Sequence, residues 1–408
     1  MSVKRFIVIA AAVLSLTACQ EPMNRLTARV FRRAVAQYTA MDIRLDAEEQ
    51  AFPKSFENGE NLYGNAEWWC SGFYPGCLWY IYQYTGNEDI RSIAEKNTLK
   101  LADICEKKTH HDIGFQVNSS FGNAFRITGD EAWLSVYETA AAKLATRFNP
   151  RVGCIKSWDN KKYTYPVIID NMMNLELLVR ASELFGCDSL RQIAVTHALT
   201  TIENHFRPDA STFHLVDYDP ATGDIIGKMT VQGYADETSW SRGQAWGLYG
   251  YTMMYEQTRD ERFLAQARKI AAYVLPLLPE DGIPYWDFNA PGTPNAVAAD
   301  APGCPTEFAW KEGDPVLRDS SAGAIVASAL VTLSTSVDDG EESELYLATA
   351  EKILRTLASR EYLAKTGENG NFLLKHGVGN LHGNKEVDVP LTYADYYFLE
   401  ALLKYRAI

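Results

Sequence analysis

Six segments dense in small and aromatic residues recur along this chain, and each of the first five is followed by a turn and a second, charged amphipathic segment. The first kind begins near Trp69, Asp112, Asp170, Ser239, Asp319 and Tyr393. With few charges on any side, such segments read as helices packed over most of their surface. The second kind runs over 89–106, 131–148, 189–206, 261–278 and 343–359, and a further copy is available at 26–46. Apolar residues there recur at three- and four-residue steps, as in Phe263, Ala267, Ile270 and Val274. Turn-like breaks separate the two kinds at Thr85-Gly86-Asn87-Glu88, Thr128-Gly129-Asp130 and Phe185-Gly186-Cys187-Asp188. A repeated hairpin cannot bury its apolar face alone and must stack on its neighbours. The pattern predicts an all-α chain, an (α/α)6 toroid of six helical hairpins with an acidic central cleft.

No Pro/Ser/Gly-rich linker or shift in composition divides the repeats, so 26–408 is expected to form a single domain. Two longer inserts depart from the hairpin pattern. Residues 212–237 read as a small hairpin excursion, in which Asp217, Asp219 and Asp224 around Pro220 and Gly223 are turn residues rather than an EF-hand. Residues 281–318 carry Trp286, Trp310 and a run of prolines, the kind of loop that shapes a cleft at one mouth of a toroid.

The N-terminus has the form of an export signal: Lys4 and Arg5, then an apolar run from Phe6 to Leu16. That run is too short to span a bilayer, which takes roughly 20 residues. Leu16-Thr17-Ala18-Cys19 resembles the lipobox of bacterial lipoproteins, which implies removal of residues 1–18 and lipidation of Cys19. The expectation is an exported lipoprotein of the periplasm or cell surface, outer-membrane anchored, touching membrane only through its lipid. Cys70, Cys77, Cys105, Cys154, Cys187 and Cys304 show no CxxC pair; mostly free thiols are expected, and no metal. The net charge of −13 speaks against nucleic acid or a long polyanion held by bulk electrostatics. A small acidic ligand held by local cations remains compatible with it.

Two inner helices open on aspartates in polar company. Asp112 follows His111 and precedes Gln116, Asn118 and Ser119; Asp170 precedes Asn171 and Asn174. Each aspartate alone reads most simply as a helix N-cap. Polar groups on buried helices must be paired or line a cavity, however, and successive hairpins bring the two carboxylates to the same mouth. In Ser241-Arg242-Gly243-Gln244-Ala245-Trp246-Gly247, Arg242 and Trp246 share one helical face. A guanidinium beside an indole suits a sugar carboxylate beside a pyranose ring. The structural alternative is a buried Arg242 paired with a carboxylate such as Glu237.

These segments resemble glycoside hydrolase family 88, the unsaturated glucuronyl hydrolases. The resemblance is carried by Trp69-Cys-Ser-Gly-Phe73-Tyr-Pro-Gly, His111-Asp-Ile-Gly-Phe115, Asp170-Asn-Met-Met-Asn-Leu-Glu-Leu-Leu178, Gln232-Gly-Tyr, the Ser241–Trp246 block and Asp388-Val-Pro-Leu-Thr-Tyr-Ala-Asp-Tyr-Tyr-Phe398. It implies an exo-acting hydrolase, without cofactor, that removes the 4,5-unsaturated uronic acid left at the non-reducing end by polysaccharide lyases. Asp170 matches the family's general acid/base and Asp112 its second essential carboxylate. His214, Gln232, Arg242 and Trp246 match substrate-contacting positions, and Trp69, Phe73, His111 and Trp158 are implied to line the same subsite. Protonation at C4 of the enol ether, water addition at C5 and collapse of the hemiketal follow. Asp170 must then be protonated beforehand, and burial beside an ionised Asp112 would raise its pKa.

Three other readings stay open at this stage: an inverting glycosidase for saturated sugars, an unsaturated rhamnogalacturonyl hydrolase, and a glycan-binding lipoprotein without catalysis. The aglycone is not fixed by the residues. Lys375, His376, His382 and Lys385, in what reads as a C-terminal glycine-rich loop, are basic candidates for contacting it, and the oligomeric state is open.

Overall fold

The computed structural model describes residues 21–107, 110–297, 313 and 315–408; the export segment 1–18, Cys19, Cys304 and Trp310 lie outside the described residues. The chain opens with α1 (Met23–Ala47) and a hairpin of β1 (Phe52–Glu57) and β2 (Glu60–Gly64). α2 (Phe73–Thr85) and α3 (Glu88–Leu99) form the first helical hairpin. The next inner helix is split into α4 (Ile113–Val117) and α5 (Asn123–Thr128) by a wider turn at Asn118–Gly122, and α6 (Leu134–Ala145) returns outside it. Strands β3 (Phe148–Asn149), β4 (Cys154–Ile155) and β5 (Pro166–Ile168) lead into α7 (Asn171–Phe185) and α8 (Asp188–His205). β6 (Leu215–Tyr218) and β7 (Ile225–Met229) join β5 in an antiparallel sheet, as the hairpin excursion anticipated, and precede α9 (Ser241–Thr258) and α10 (Glu261–Val274). α11 (Ser320–Ser334) and α12 (Gly340–Leu357) follow, then the antiparallel pair β8 (Gly377–Asn380) and β9 (Lys385–Val389), and α13 (Thr392–Ala407).

The helices α2, α4–α5, α7, α9, α11 and α13 each touch the next, and α13 returns to α2, so the inner layer closes into a ring. Each is backed by an outer helix, giving the expected (α/α)6 toroid among the described residues. Burial follows the two compositions. α9 is buried continuously from Ser241 to Met254, whereas α10 buries only its Phe263–Ala267–Ile270–Val274 stripe and immediate neighbours. One apolar cluster runs from Leu26 to Leu402, and a small satellite of Val152, Cys154, Tyr165, Val167, Val216 and Tyr218 sits under the β5–β6–β7 sheet. Cys70, Cys77, Cys105, Cys154 and Cys187 are free thiols. No described helix is long and apolar enough to cross a membrane.

The two ends of the ring are connected differently. At the C-terminal ends of the inner helices the chain reverses at once: Gly86, Gly129, Gly186 and Arg259 take left-handed conformations (φ 64, 70, 65 and 57°). Asn87, Asp130 and Asp260 then cap the next helical turn. At the N-terminal ends lie the strand pairs of the described residues and the described ends of the 281–318 connection. The expected boundaries needed four adjustments. α2 starts at Phe73 rather than near Trp69, and α3 stops at Leu99, short of 106. The second inner helix is broken, because Ser119 and Ser120 hydroxyls take the carbonyls of Phe115 and Gln116 from the helical ladder. β8–β9 replaces what reads as a glycine-rich loop. Gly72 lets α2 meet the broken helix: a Cβ there would lie 2.2 Å from the Gln116 carbonyl oxygen.

Candidate active site

Asp112 and Asp170 occupy the N-cap positions of α4 and α7, yet neither carboxylate accepts a hydrogen bond from its helix. Asp130, Asp260, Asp319 and Asp339 do cap theirs. The capping explanation for the pair therefore fails, and both carboxylates are available to whatever enters between the helix ends. Each is 8% exposed.

Asp112 sits among cations and imidazoles. Its Oδ2 lies 3.0 Å from His110 Nδ1 and 3.2 Å from His111 Nε2. Burial alone would raise its pKa, but His111, His110 and Arg147 outweigh burial and hold it below the usual carboxylate range. The His110 ring responds in kind: burial lowers its pKa, and the contact with Asp112 more than restores it. His111 is pushed down to about 4 by burial and stays neutral near pH 7. Asn174 fixes it in place, with Nδ2 3.3 Å from His111 Nδ1 while its Oδ1 accepts the Phe115 N–H at 2.7 Å.

Asp170 has the opposite setting. Burial first, and the charge on Asp112 second, push its pKa up to about 7, against weaker pulls from Arg242, its own backbone N–H and the Trp246 indole. Its Oδ2 is buried without a protein hydrogen-bond partner within normal range. A raised pKa alone would not single it out, since Asp395 is also pushed to about 7 by burial. Asp395, however, spends both oxygens on the Leu373 and Leu374 N–H groups and the Tyr38 hydroxyl. Asp170 keeps an oxygen free.

His214 faces that oxygen, its Nε2 3.7 Å from Asp170 Oδ2. The Val231 and Gln232 N–H groups both donate to His214 Nδ1, at 3.0 and 3.1 Å. Nδ1 is thus an acceptor, which places the ring proton on Nε2 and points it at Asp170. Burial pushes the His214 pKa down to about 3, so the ring is neutral over the range in which Asp170 titrates. Its ring packs 4.7 Å from Trp240, and Gln232 Nε2 reaches Gly379 O at 3.4 Å.

Arg242 is placed differently from the sequence expectation. It is 1% exposed and ion-paired with Asp319 at 2.6 Å, and it donates to the Val378 and Gly379 carbonyls at 2.6 and 2.9 Å. The ion pair and the two carbonyl contacts tie β8 to the helix ends, and the guanidinium charge still pulls weakly on Asp170. The expected alternative partner is also corrected: Glu237 lies 3.5 Å from Arg207. Phe73 and Trp246 are fully buried and support the site from below. Trp69, half-buried, lies tilted against Tyr393 with ring centroids 4.8 Å apart, and Trp158 meets His111 edge-on at 6.1 Å. His382 reaches Gly233 O beside Gln232, whereas Lys375 and His376 engage Arg360 O and Asp388, and Lys385 is exposed.

His110, Arg147, Asp319, Trp240 and Tyr393 receive no site role in the sequence analysis. Arg147 holds the Trp158 loop by donating to Lys156 O and Asp159. The His110–His111 doublet before Asp112 was the one signal that could have found its member. The described residues hold no cluster of His, Cys, Asp and Glu suited to a metal. The N-termini of all six inner helices meet at this mouth, and helix N-termini favour negative charge.

A scan against protein-family models matches none. The chain is 43% identical over 339 residues to an unsaturated glucuronyl hydrolase of Formosa agariphila, covering 82% of this chain and 79% of that one. It superposes with a TM-score of 0.85 on the crystal structure of an unsaturated glucuronyl hydrolase specific for heparin, at 42% identity over 94% of this chain and 98% of that one. A TM-score of 0.75, at 30% identity over 93% and 90%, relates it to a mutant unsaturated glucuronyl hydrolase from Streptococcus agalactiae complexed with dGlcA-GalNAc6S. With that identity over most of its length, and on the same toroid, the chain belongs to the unsaturated glucuronyl hydrolase family.

Proposed function

We propose that the protein removes the 4,5-unsaturated uronic acid from the non-reducing end of lyase-generated, glycosaminoglycan-derived oligosaccharides. One observation carries the mechanism: Asp170 titrates at about 7 with a free oxygen, next to an aspartate held ionised. Protonated Asp170 delivers its proton to C4 of the enol ether. Positive charge develops at C5 and spreads onto the ring oxygen. The Asp170 carboxylate left behind accepts the His214 Nε2–H and takes a proton from the water that adds at C5. The resulting hemiketal opens, and the aglycone leaves. Asp112 stays ionised, keeps the proton on Asp170 by its charge, and accepts a hydroxyl of the sugar. Trp69 and Trp158 bound the ring, Gln232 and His111 hydrogen-bond it, and the substrate carboxylate faces the helix N-termini.

The exported, lipid-anchored placement belongs to the same reading. Cys19 carries the lipid, residues 26–408 form one catalytic unit, and the enzyme works on oligosaccharides outside the cytoplasm. Labelling with a fatty-acid analogue that Cys19→Ser abolishes tests this half.

The activity is tested by following the ultraviolet absorbance of the conjugated C4=C5 bond on unsaturated uronyl disaccharides. Loss of absorbance with release of the hexosamine supports the reading. Unchanged absorbance on every unsaturated disaccharide overturns it.

A further inference from the structure

We propose that His110 is a positioning residue of the reaction: its imidazole, seated between the Asp112 carboxylate and the Glu67 carbonyl, decides how much of the Asp112 charge reaches Asp170. The inference rests on the reading above and gives a task to a side chain that the chemical steps leave idle.

The ring is held at both nitrogens. Nε2 lies 3.3 Å from the Glu67 carbonyl, in the loop after β2, and can donate to it whether the ring is neutral or charged. Only Nδ1 changes its role. It lies 3.2 Å from the Asp112 N–H and 3.0 Å from Asp112 Oδ2. A bare Nδ1 accepts the N–H, and a protonated Nδ1 donates to the carboxylate. Each protonation state thus has its own partner on the same residue, and the ring need not move to pass between them. The side chain is 28% exposed, enough for solvent to deliver and remove the proton.

His111 touches the same oxygen and cannot act this way. The Asn174 amide faces its Nδ1 at 3.3 Å, which fixes the proton on Nε2, 3.2 Å from Asp112 Oδ2. Burial keeps that ring neutral near pH 7. Asp112 therefore has a constant neutral donor in His111 and a partner of variable charge in His110. Arg147, after α6, also faces His110; it is paired with Asp159 at 3.0 Å, and a guanidinium keeps its charge. The Glu67 side chain is exposed, and only its carbonyl meets the ring.

With the proton on His110, part of the Asp112 charge is cancelled, and Asp170 releases its own proton more readily. Once His110 is neutral, the full charge bears on Asp170 and holds the proton there. Burial lowers the His110 pKa and the Asp112 contact more than restores it, so the ring titrates where Asp170 does, at about 7. Rising pH thus removes the His110 proton and delays loss of the proton that the chemistry needs.

His110→Gln puts a neutral side chain in the same place. Its alkaline limb of kcat/KM on an unsaturated uronyl disaccharide should move to higher pH by roughly 0.5–1 unit and fall more steeply, with the acid-side plateau within about threefold. An unmoved limb, or one moved to lower pH, overturns the proposal even if the rate drops at every pH, as a structural role predicts. The coupling also has a readout that needs no turnover. In Asp170→Asn, where no negative charge can form at that position, nuclear magnetic resonance should show His110 titrating at lower pH than in the wild type. The same titration in both overturns the proposal. A wild type that shows this coupling yet leaves every unsaturated disaccharide intact separates the two: the activity reading falls while the coupling stands.

Discussion

The two mouths of this toroid are built from the same six inner helices and handle buried charge in opposite ways. At the C-terminal mouth, around a cavity of about 500 Å³, Glu400 is satisfied on every side. The Tyr80 and Tyr249 hydroxyls donate to it at 2.9 and 3.0 Å, Ser328 donates as well, and Lys404 stands 3.3 Å away. Burial raises its pKa, but Lys404, Ser328 and Tyr80 outweigh burial and hold it ionised. At the N-terminal mouth Asp170 is left with an empty oxygen and a pKa near 7. Tight glycine turns and short caps join the helices at the first mouth, and long excursions at the second. Where every polar group is paired, the charge stabilises the fold. Where one is left unpaired beside a like charge, the cost in stability becomes a proton available for chemistry.

The comparison breaks most sharply at Asp170. Asp170→Asn should lower kcat at least ~10³-fold, with substrate binding still measurable. Its stability should move the other way. The folded pKa of Asp170 lies above the unfolded value near 3.9, so its stabilising contribution is present below pH 4 and lost as pH rises through about 7. Relative to wild type, Asp170→Asn should therefore be more stable by roughly 2–4 kcal/mol at pH 8 and unchanged at pH 4, as read by denaturant unfolding. A variant equally destabilised at both pH values would make Asp170 a structural residue like Asp395.

Glu400→Gln tests the other mouth. It should cost about 2–4 kcal/mol near neutral pH, because it breaks a buried charged network. The lowered pKa places that contribution above the unfolded carboxylate value, and it is lost as pH falls through the folded one. kcat should stay within about threefold, since Glu400 lies eight residues, roughly 12 Å, along α13 from the helix end at the site. A large loss of turnover with intact stability would contradict the division between the mouths.

Asp112→Asn sharpens the electrostatic half of the account. The alkaline limb of kcat/KM, which reports Asp170, should move to lower pH, because the Asp112 charge is one of the two forces raising it. A shift to higher pH would contradict the arrangement. The smallest effect belongs to the turns: Gly186→Ala, at φ 65°, should destabilise by about 1 kcal/mol and leave kcat unchanged.

Helix starts were readable wherever small and aromatic residues gave way to a cap or a turn. The expected openings at Asp170 and Asp319 fall next to α7 and α11, and the Gly86, Gly129 and Gly186 breaks are the turns themselves. What stayed hidden depends on contacts distant in sequence. Arg242 finds Asp319, 77 residues on, rather than the nearby Glu237, and no local pattern encodes that choice. The break at Asn118–Gly122 comes from serine hydroxyls competing with the backbone, a preference that tertiary packing at Gly72 and Gly76 allows. β8 and β9 carry glycines and several left-handed residues, among them Glu386 and Asp388, so strand alternation is masked. His110 was overlooked because its worth to the site lies in where the fold aims it, 3.0 Å from Asp112.

The central claim is that Asp170 holds a proton near neutral pH because of burial and its ionised neighbour. The most direct test is the pH dependence of the protonated-carboxyl infrared band in the difference between wild type and Asp170→Asn. A titration near pH 7 that moves down in an Asp112→Asn background is predicted. A titration near 4, the value of a solvated aspartate, would contradict the account.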